Sequence, residues 1–175
     1  MEYICKMASL NDIEKRMDYL INMHPNNLIW VKAKENAIRG YNEKSKIMYI
    51  GVLSNEIICE ATAYIEESAF IGDIKNTENL LSSTRAYLSG FRTNKKFEGQ
   101  GYFSKLYKFM EHDLKSRGYK ELCLGVEPCE VRNMQIYFKF GFTNYIKTEI
   151  EYLPAKDFNS TPQKEIINYY FKELK

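Results

Sequence analysis

The sequence has no CxxC pair and no His pair near any of its four cysteines, Cys5, Cys59, Cys123 and Cys129. A zinc centre therefore has no ligand set to draw on, and the cysteines read as buried reduced thiols. No apolar run approaches the roughly 18 residues that suggest a membrane span. The opening stretch MEYICKMASLND lacks the basic-then-apolar pattern of a secretory leader, so the expectation is a cytoplasmic protein. Charge of one sign is also missing: 25 Lys and Arg stand against 23 Asp and Glu. That balance leaves no global field to recruit nucleic acid or anionic membrane. There is no internal repeat, heptad run or low-complexity tract. A single sequon, Asn159-Ser160-Thr161, would matter only after secretion and reads as chance.

Two phosphate-binding signatures are absent as well. GxxxxGK[ST] does not occur, and GxGxxG fails because position 104 is Ser104, which turns the reading away from nucleotide-triphosphate and dinucleotide folds. What is there is a 175-residue chain, 45% hydrophobic and 27% charged, long enough to bury a real core as one domain over 1–175. Its four prolines, Pro25, Pro128, Pro154 and Pro162, sit where elements can break.

The hydrophobic period sets the elements. Tyr3 to Met7 reads as a strand; Ser9 followed by Asp12 reads as a helix entry, with Leu10, Ile13, Met17, Leu20 and Ile21 as its apolar stripe. A second helix is expected from about Leu28 to Ile38, ending at Gly40. KIMYIGVL and EIICEATAYIEE, split by Ser54-Asn55, form an antiparallel hairpin. Residues 72–82 look like a loop, and TRAYLSGFRT is the next strand. The helix from about Gln100 to Arg117 turns Phe103, Leu106, Tyr107, Met110 and Leu114 to one face and stops at Gly118. KELCLGVE follows as a buried strand, then a short helix from about Glu130 to Phe140, then FTNYIKTEIEYL as strand. In QKEIINYYFKEL, the spacing of Ile166, Ile167, Tyr170, Phe171 and Leu174 predicts a helical tail over about 162–175 that docks on the sheet or on a partner. The chain is thus expected to be a monomer or homodimer. The order β-α-α-β-β-β-α-β-α-β implies an α/β (α+β) fold: a mixed, mostly antiparallel central sheet, one parallel βαβ crossover, and flanking helices.

At the start of that crossover stands FEGQGYFSKL, residues 97–106, with Gly99 and Gly101 one residue apart. Bare backbone just before a helix is either a tight turn or a socket in which unpaired N–H groups and the helix dipole hold phosphate oxygens. One crossover later comes Asn133-Met134-Gln135-Ile136-Tyr137-Phe138-Lys139-Phe140-Gly141-Phe142. The two stretches in this order, with a helix and a strand between them, resemble the GNAT N-acetyltransferase superfamily. Its pyrophosphate loop has the pattern Q/R-x-x-G-x-G/A, followed by N-x-x-A-x-x-x-Y-x-x-x-G-F. The resemblance covers about residues 84–142.

The resemblance implies acetyl-CoA as cofactor and a small-molecule or peptide amine as acceptor, with no nucleic acid and no membrane. The N–H groups of Gly99, Gln100, Gly101, Tyr102, Phe103 and Ser104 would cradle the coenzyme A pyrophosphate. Main-chain groups of Phe91 and Thr93 would pair with the pantetheine arm. Asn133 and Tyr137, four apart on one helical face, would serve the pantetheine and the sulfur. Three departures stand out: Lys96 replaces the usual Gln or Arg but keeps a charge useful to phosphate, Glu98 stands where a basic residue is common, and Phe103 is bulky where a small residue often follows. Ile136 replaces a small residue in the second motif.

The implied reaction is direct attack of a neutral amine on an acyl thioester, the developing oxyanion held by main-chain N–H groups. A Lys-like amine loses roughly 4 to 5 kcal/mol of reactivity at pH 7 because so little is neutral, and an α-amino group only about 1 to 1.5, so a base is worth having. Tyr137 is the expected general acid. Glu60, interrupting the apolar run IICEATAYI, is the candidate base; equally, it could be an ion-pair partner of Arg85 or Arg92. Glu127 at the end of the central parallel strand is the reserve. His24 and His112 read as solvated, and Met7, Met23, Met48, Trp30 and Tyr41 as core or cleft wall without a metal pattern. Three functions remain open: an acetyl-CoA-dependent N-acetyltransferase, a non-catalytic acyl-CoA-binding or sensing module, and a structural or partner-binding domain.

Overall fold

Ser9 begins the first helix as its sequence suggests. Its hydroxyl accepts from the Asp12 N–H while the Asp12 carboxylate accepts from the Ser9 N–H, a reciprocal cap that satisfies two otherwise orphaned donors. In a computed structural model of the protein, residues 2–25, 27–70, 77–153 and 163–175 are described. The elements are β1 (Tyr3–Met7), α1 (Leu10–Met23), α2 (Leu28–Asn42), β2 (Lys46–Leu53), β3 (Glu56–Tyr64), β4 (Arg85–Thr93), α3 (Tyr102–Ser116), β5 (Glu121–Val126), α4 (Val131–Lys139), β6 (Asn144–Leu153) and β7 (Gln163–Glu173). Short 3-10 turns at Glu67–Phe70 and Lys95–Phe97 join them.

The strands make one seven-stranded sheet in the order β1-β2-β3-β4-β5-β7-β6. Neighbours are antiparallel except β4 and β5, the parallel pair that α3 connects. Ile13, Met17 and Leu20 of α1 pack with Met48 and Ile50 of β2. The buried stripe Leu106, Tyr107, Met110 and Leu114 of α3 packs with Tyr49, Ala61, Ala63, Leu88 and Leu124. Each fully buried aliphatic side chain contributes about 1.5 to 3 kcal/mol of transfer free energy, and the two helical layers hold the sheet between them.

Three expectations need correction. The C-terminal segment is strand β7, inserted between β5 and β6, and not a helical tail. It alternates, with Ile167, Tyr169 and Phe171 in one apolar cluster while Tyr170 and Leu174 join another. Apolar residues on both faces at 166–167 and 170–171 imitate the helical period. Second, α2 runs through Gly40 to Asn42. A Cβ at Gly40 would stand 2.6 Å from two carbons of the Lys46 side chain, so this glycine permits a close approach and does not end the helix. Third, Cys129 is exposed, whereas Cys59 and Cys123 are buried and Cys5 is half-buried. The sequon, Pro154, Pro162 and residues 72–76 of the expected loop lie outside the described residues.

What positions the site is the way β4 leaves β5. The parallel ladder runs from Arg85 opposite Glu121 to Leu88 opposite Leu124 and stops there, although β4 continues to Thr93. On its other side β4 stays paired with β3, with Ser89 opposite Thr62 and Arg92 opposite Glu60. Three steps on β4 thus match two on β3, a bulge with Gly90 at φ +66°. Such a bulge bends its strand and strengthens the local twist. The sheet opens into a wedge between the second half of β4 and the end of β5.

Candidate active site

A cavity of about 370 Å³ fills that wedge, lined by β4, the loop before α3, the first turn of α3, and α4. Its phosphate-sized end is made of backbone. Gly99 and Gly101 have φ of +74° and +80°, a region costly for other residues, and a Cβ at either would meet nothing within 4 Å. Gly101 is the N-cap of α3, and no side chain caps the helix. The N–H groups of the first turn therefore have no intrahelical partner, and they carry the positive end of the dipole to the cavity wall. Gly99, Gly101, Phe103 and Ser104 all line it.

The wall beside this socket is aromatic. Phe91 meets Phe103 at 5.2 Å and Tyr137 edge-on at 5.7 Å between ring centroids. Phe140 closes the back, stacked flat on Tyr107 at 4.1 Å. Past Leu88 the edge of β4 that carries Phe91 and Thr93 no longer pairs with β5, which leaves main-chain groups able to accept an extended ligand as an added strand. Burial in this wall pushes the Tyr137 phenol up to about 12, with the Glu130 carboxylate adding to the rise. Glu130 also accepts a 2.6 Å hydrogen bond from the Asn133 side-chain amide.

Of the residues expected at the site, Phe91, Thr93, Gly99, Gly101, Phe103, Ser104, Asn133 and Tyr137 come together in the cavity lining. Others stand aside. The Lys96 ammonium is paired with Glu56 at 2.9 Å, the Gln100 side chain donates to the Lys96 carbonyl at 2.9 Å, and the Tyr102 ring packs 4.8 Å from Tyr3. Glu98 accepts from Arg132 at 3.1 Å, and both residues line the cavity.

Glu60 is fully buried, and both its carboxylate oxygens are engaged, one by Arg16 Nε and the other by Arg92 Nη1 at 2.6 Å. This is the ion-pair alternative for Glu60, with Arg92 as partner; Arg85 pairs with Glu121 instead. A carboxylate clasped by two guanidiniums, and absent from the cavity wall, is poorly placed to take a proton from an amine. Glu127 accepts from the Cys129 thiol at 3.3 Å and lies outside the lining too.

Arg16 and Arg132 were missed by reading the sequence, and Arg92 was named there only as a partner of Glu60 and not as a residue of the cavity wall. Arg16 had a signal: it falls between Ile13, Met17 and Leu20 on the apolar stripe of α1, where a charge must find a buried partner, and Glu60 interrupts an apolar strand in the same way. Arg92 and Arg132 carried no such signal, since both are exposed residues in amphipathic elements.

Comparison with known proteins agrees with this geometry. A family profile described as acetyltransferase (GNAT) family matches residues 5–142. Among curated proteins none matches by sequence. Among solved structures, the chain is similar to an N-acetyltransferase from Staphylococcus aureus Mu50, at TM-score 0.66 and 13% identity with 100% of each chain covered. It is similar to the ribosomal-protein-S18-alanine N-acetyltransferase from Escherichia coli, at TM-score 0.68 and 14% identity, covering 99% of this chain and 94% of that one. A third is the acetyltransferase of the GNAT family from Streptococcus pneumoniae, at TM-score 0.67 and 12% identity, with 99% and 100% covered. At these identities the likeness is one of fold.

Proposed function

The chain belongs to the acetyltransferase (GNAT) family, and from that premise we propose that it is an N-acetyltransferase that takes the acetyl group of acetyl-CoA and gives it to a primary amine of a small molecule or peptide. The observation that carries this reading is the meeting, in one cavity, of an uncapped helix N-terminus, an unpaired strand edge and a phenol. The two glycines fit a pyrophosphate, because the space a side chain would fill is open and the N–H groups around it lack partners. When bound, acetyl-CoA would supply an acyl thioester, on which the amine nitrogen forms the new C–N bond, the C–S electron pair leaves on the thiolate sulfur, and the proton that the amine loses passes to solvent.

The protein's own part is placement and hydrogen bonding. Gly99 to Ser104 hold the phosphates, Phe91 and Thr93 pair with the arm, and the aromatic wall excludes water. Tyr137 would donate a hydrogen bond from its hydroxyl to the leaving sulfur. With the phenol near 12 and a thiol near 8.5, full proton transfer is uphill by about 5 kcal/mol, so Tyr137 acts as a hydrogen-bond donor. The buried thiols of Cys59 and Cys123 suit a reducing compartment, the cytoplasm.

A second reading, a domain that binds acyl-CoA without turning it over, draws support from one feature. The carboxylate among the described lining residues is Glu98, and it is paired with Arg132, so the acceptor amine meets no free base in the wall. Calorimetry with coenzyme A and thiol release from acetyl-CoA across an amine panel separate the two. Binding with amine-dependent thiol release supports the enzyme; binding without release under any amine supports the sensor.

A further inference from the structure

Arg16, Glu60 and Arg92 form a line of charges running from the buried face of α1 to the cavity. The inner pair is balanced in charge by itself. Glu60 and Arg16 are 0% and 2% exposed, and Arg16 also donates to the Asn94 side-chain oxygen at 2.8 Å and the Ile57 carbonyl at 3.3 Å. One guanidinium balances the charge of the buried carboxylate but leaves its other oxygen to be met. Arg92 meets it by donating Nη1, and this second guanidinium leaves the triad with a net positive charge at its cavity end.

That end is held rigidly. The Arg92 guanidinium lies 4.8 Å over the Trp30 ring, and Trp30 is itself stacked on His24 at 5.2 Å and 13°. With Nη1 on Glu60, the remaining edge of the fork is Nε–H and Nη2–H, two parallel donors with no acceptor among the described residues. The Arg92 side chain is 40% exposed and lines the cavity. Two parallel donors on a preorganised cation match the two oxygens of a carboxylate. This cation does not belong to the phosphate socket. Phe91 and Thr93 flank it in β4, and Phe91 packs on Phe103 and Tyr137, while Arg92 turns to Glu60 and to Trp30 of α2.

We propose that Arg92 recognises the acceptor, and that the acceptor is an amine bearing a carboxylate, of the amino-acid class. The proposal rests on the acetyltransferase reading of the same cavity. Arg92 would hold the carboxylate by its free edge and so aim the amine at the end of the cavity where Phe91 meets Tyr137.

The test uses thiol release from acetyl-CoA with free amino acids, the matching amino acid amides and a polyamine as probes, on the parent, Arg92→Gln and Arg92→Lys, with coenzyme A binding measured by calorimetry on each. The expected result is a kcat/KM at least tenfold higher for an acid than for its amide in the parent. That ratio should collapse towards one in Arg92→Gln through a raised KM and be partly kept in Arg92→Lys, with coenzyme A affinity unchanged. If Arg92→Gln fails to fold, the intermediate ratio in Arg92→Lys carries the comparison. Equal or better use of amides or the polyamine overturns the proposal, as does an acid preference that survives in Arg92→Gln. Coenzyme A binding without turnover of any acid overturns it while leaving the cofactor site standing. No coenzyme A binding at all removes the cofactor reading and this inference with it.

Discussion

Phe91 and Tyr137 meet edge to face, 5.7 Å between ring centroids, where β4 has parted from β5. One ring belongs to the strand edge that would carry the pantetheine arm, the other to the helix that would serve its sulfur, so each fixes the other's position. Replacing Tyr137 by Phe keeps this contact and removes only the hydroxyl. Turnover should fall about 10 to 100-fold with coenzyme A affinity nearly unchanged. Because the phenol is pushed up to about 12, its proton stays on through the alkaline range, and the parent's rate should show no descending limb below about pH 10. Steady-state rates and calorimetry on the two proteins decide it; equal turnover with chemistry rate-limiting removes Tyr137 from the mechanism.

Gly101→Glu tests the socket. Open space around its Cβ means that the substitution meets no steric block, and the positive φ costs about 1 to 2 kcal/mol. A carboxylate at the helix N-cap then competes with phosphate for the same N–H groups. Coenzyme A binding should weaken by tenfold or more in a protein that still unfolds cooperatively. Unchanged affinity would make the glycine pair a turn and nothing else.

Glu98 and Arg132 face each other across the mouth of the same socket at 3.1 Å. The carboxylate repels phosphate and occupies a guanidinium that could meet it. Glu98→Gln should therefore tighten coenzyme A binding a few-fold at low salt, with the gain shrinking near 0.15 M as screening sets in. A titration at two ionic strengths measures both effects. Loss of affinity would mean that Glu98 itself orders the loop for binding.

Glu165 gives a stability prediction. It lies opposite Glu151 on neighbouring strands, and its carboxyl is raised by burial first and then by the charges of Glu127, Glu151 and Glu130. A carboxyl whose folded pKa is raised favours the fold when protonated, so its contribution is present at acid pH and lost as pH climbs through the raised value. Glu165→Gln should stabilise the protein at pH 7 by about 0.2 to 1 kcal/mol, the range for a like-charged cross-strand pair. The advantage should vanish near pH 4. Urea unfolding at both pH values reads it.

Much of this architecture was legible because local chemistry and global packing agree. Ser9 with Asp12, the β2–β3 hairpin about Ser54-Asn55 and the stripe of α3 each carry their own signal and are found where that signal places them. β7 was misread because apolar residues on both faces of the strand blur its period of two, and Ile166, Ile167, Tyr170 and Phe171 fit a helix equally well. The backbone socket was visible as glycine, the one residue whose absence of side chain is itself a message. Of the charged half only the Glu60–Arg92 pairing was legible, as one of two alternatives; the placing of Arg92 over Trp30 of α2 and of Arg132 against Glu98 of the loop depends on partners brought near by the fold.

The buried triad allows the role of Glu60 to be settled by one conservative change. Glu60→Gln keeps the shape but leaves the Arg16 guanidinium, 2% exposed, without its counter-charge, and deprives Arg92 of the oxygen that orients it. Removing one partner of a buried pair costs about 3 to 5 kcal/mol because an uncompensated charge remains inside. At about 2 to 4 °C per kcal/mol for a chain of this size, the melting temperature should fall by roughly 6 to 20 °C. A structural role acts equally at all pH values, so the fractional loss of turnover in the folded fraction should be the same at pH 7 and pH 9. A base would behave oppositely: stability would hold, and activity would recover at pH 9, where more of the acceptor amine is already neutral. Melting curves together with rates at the two pH values distinguish the ion-pair partner from the base.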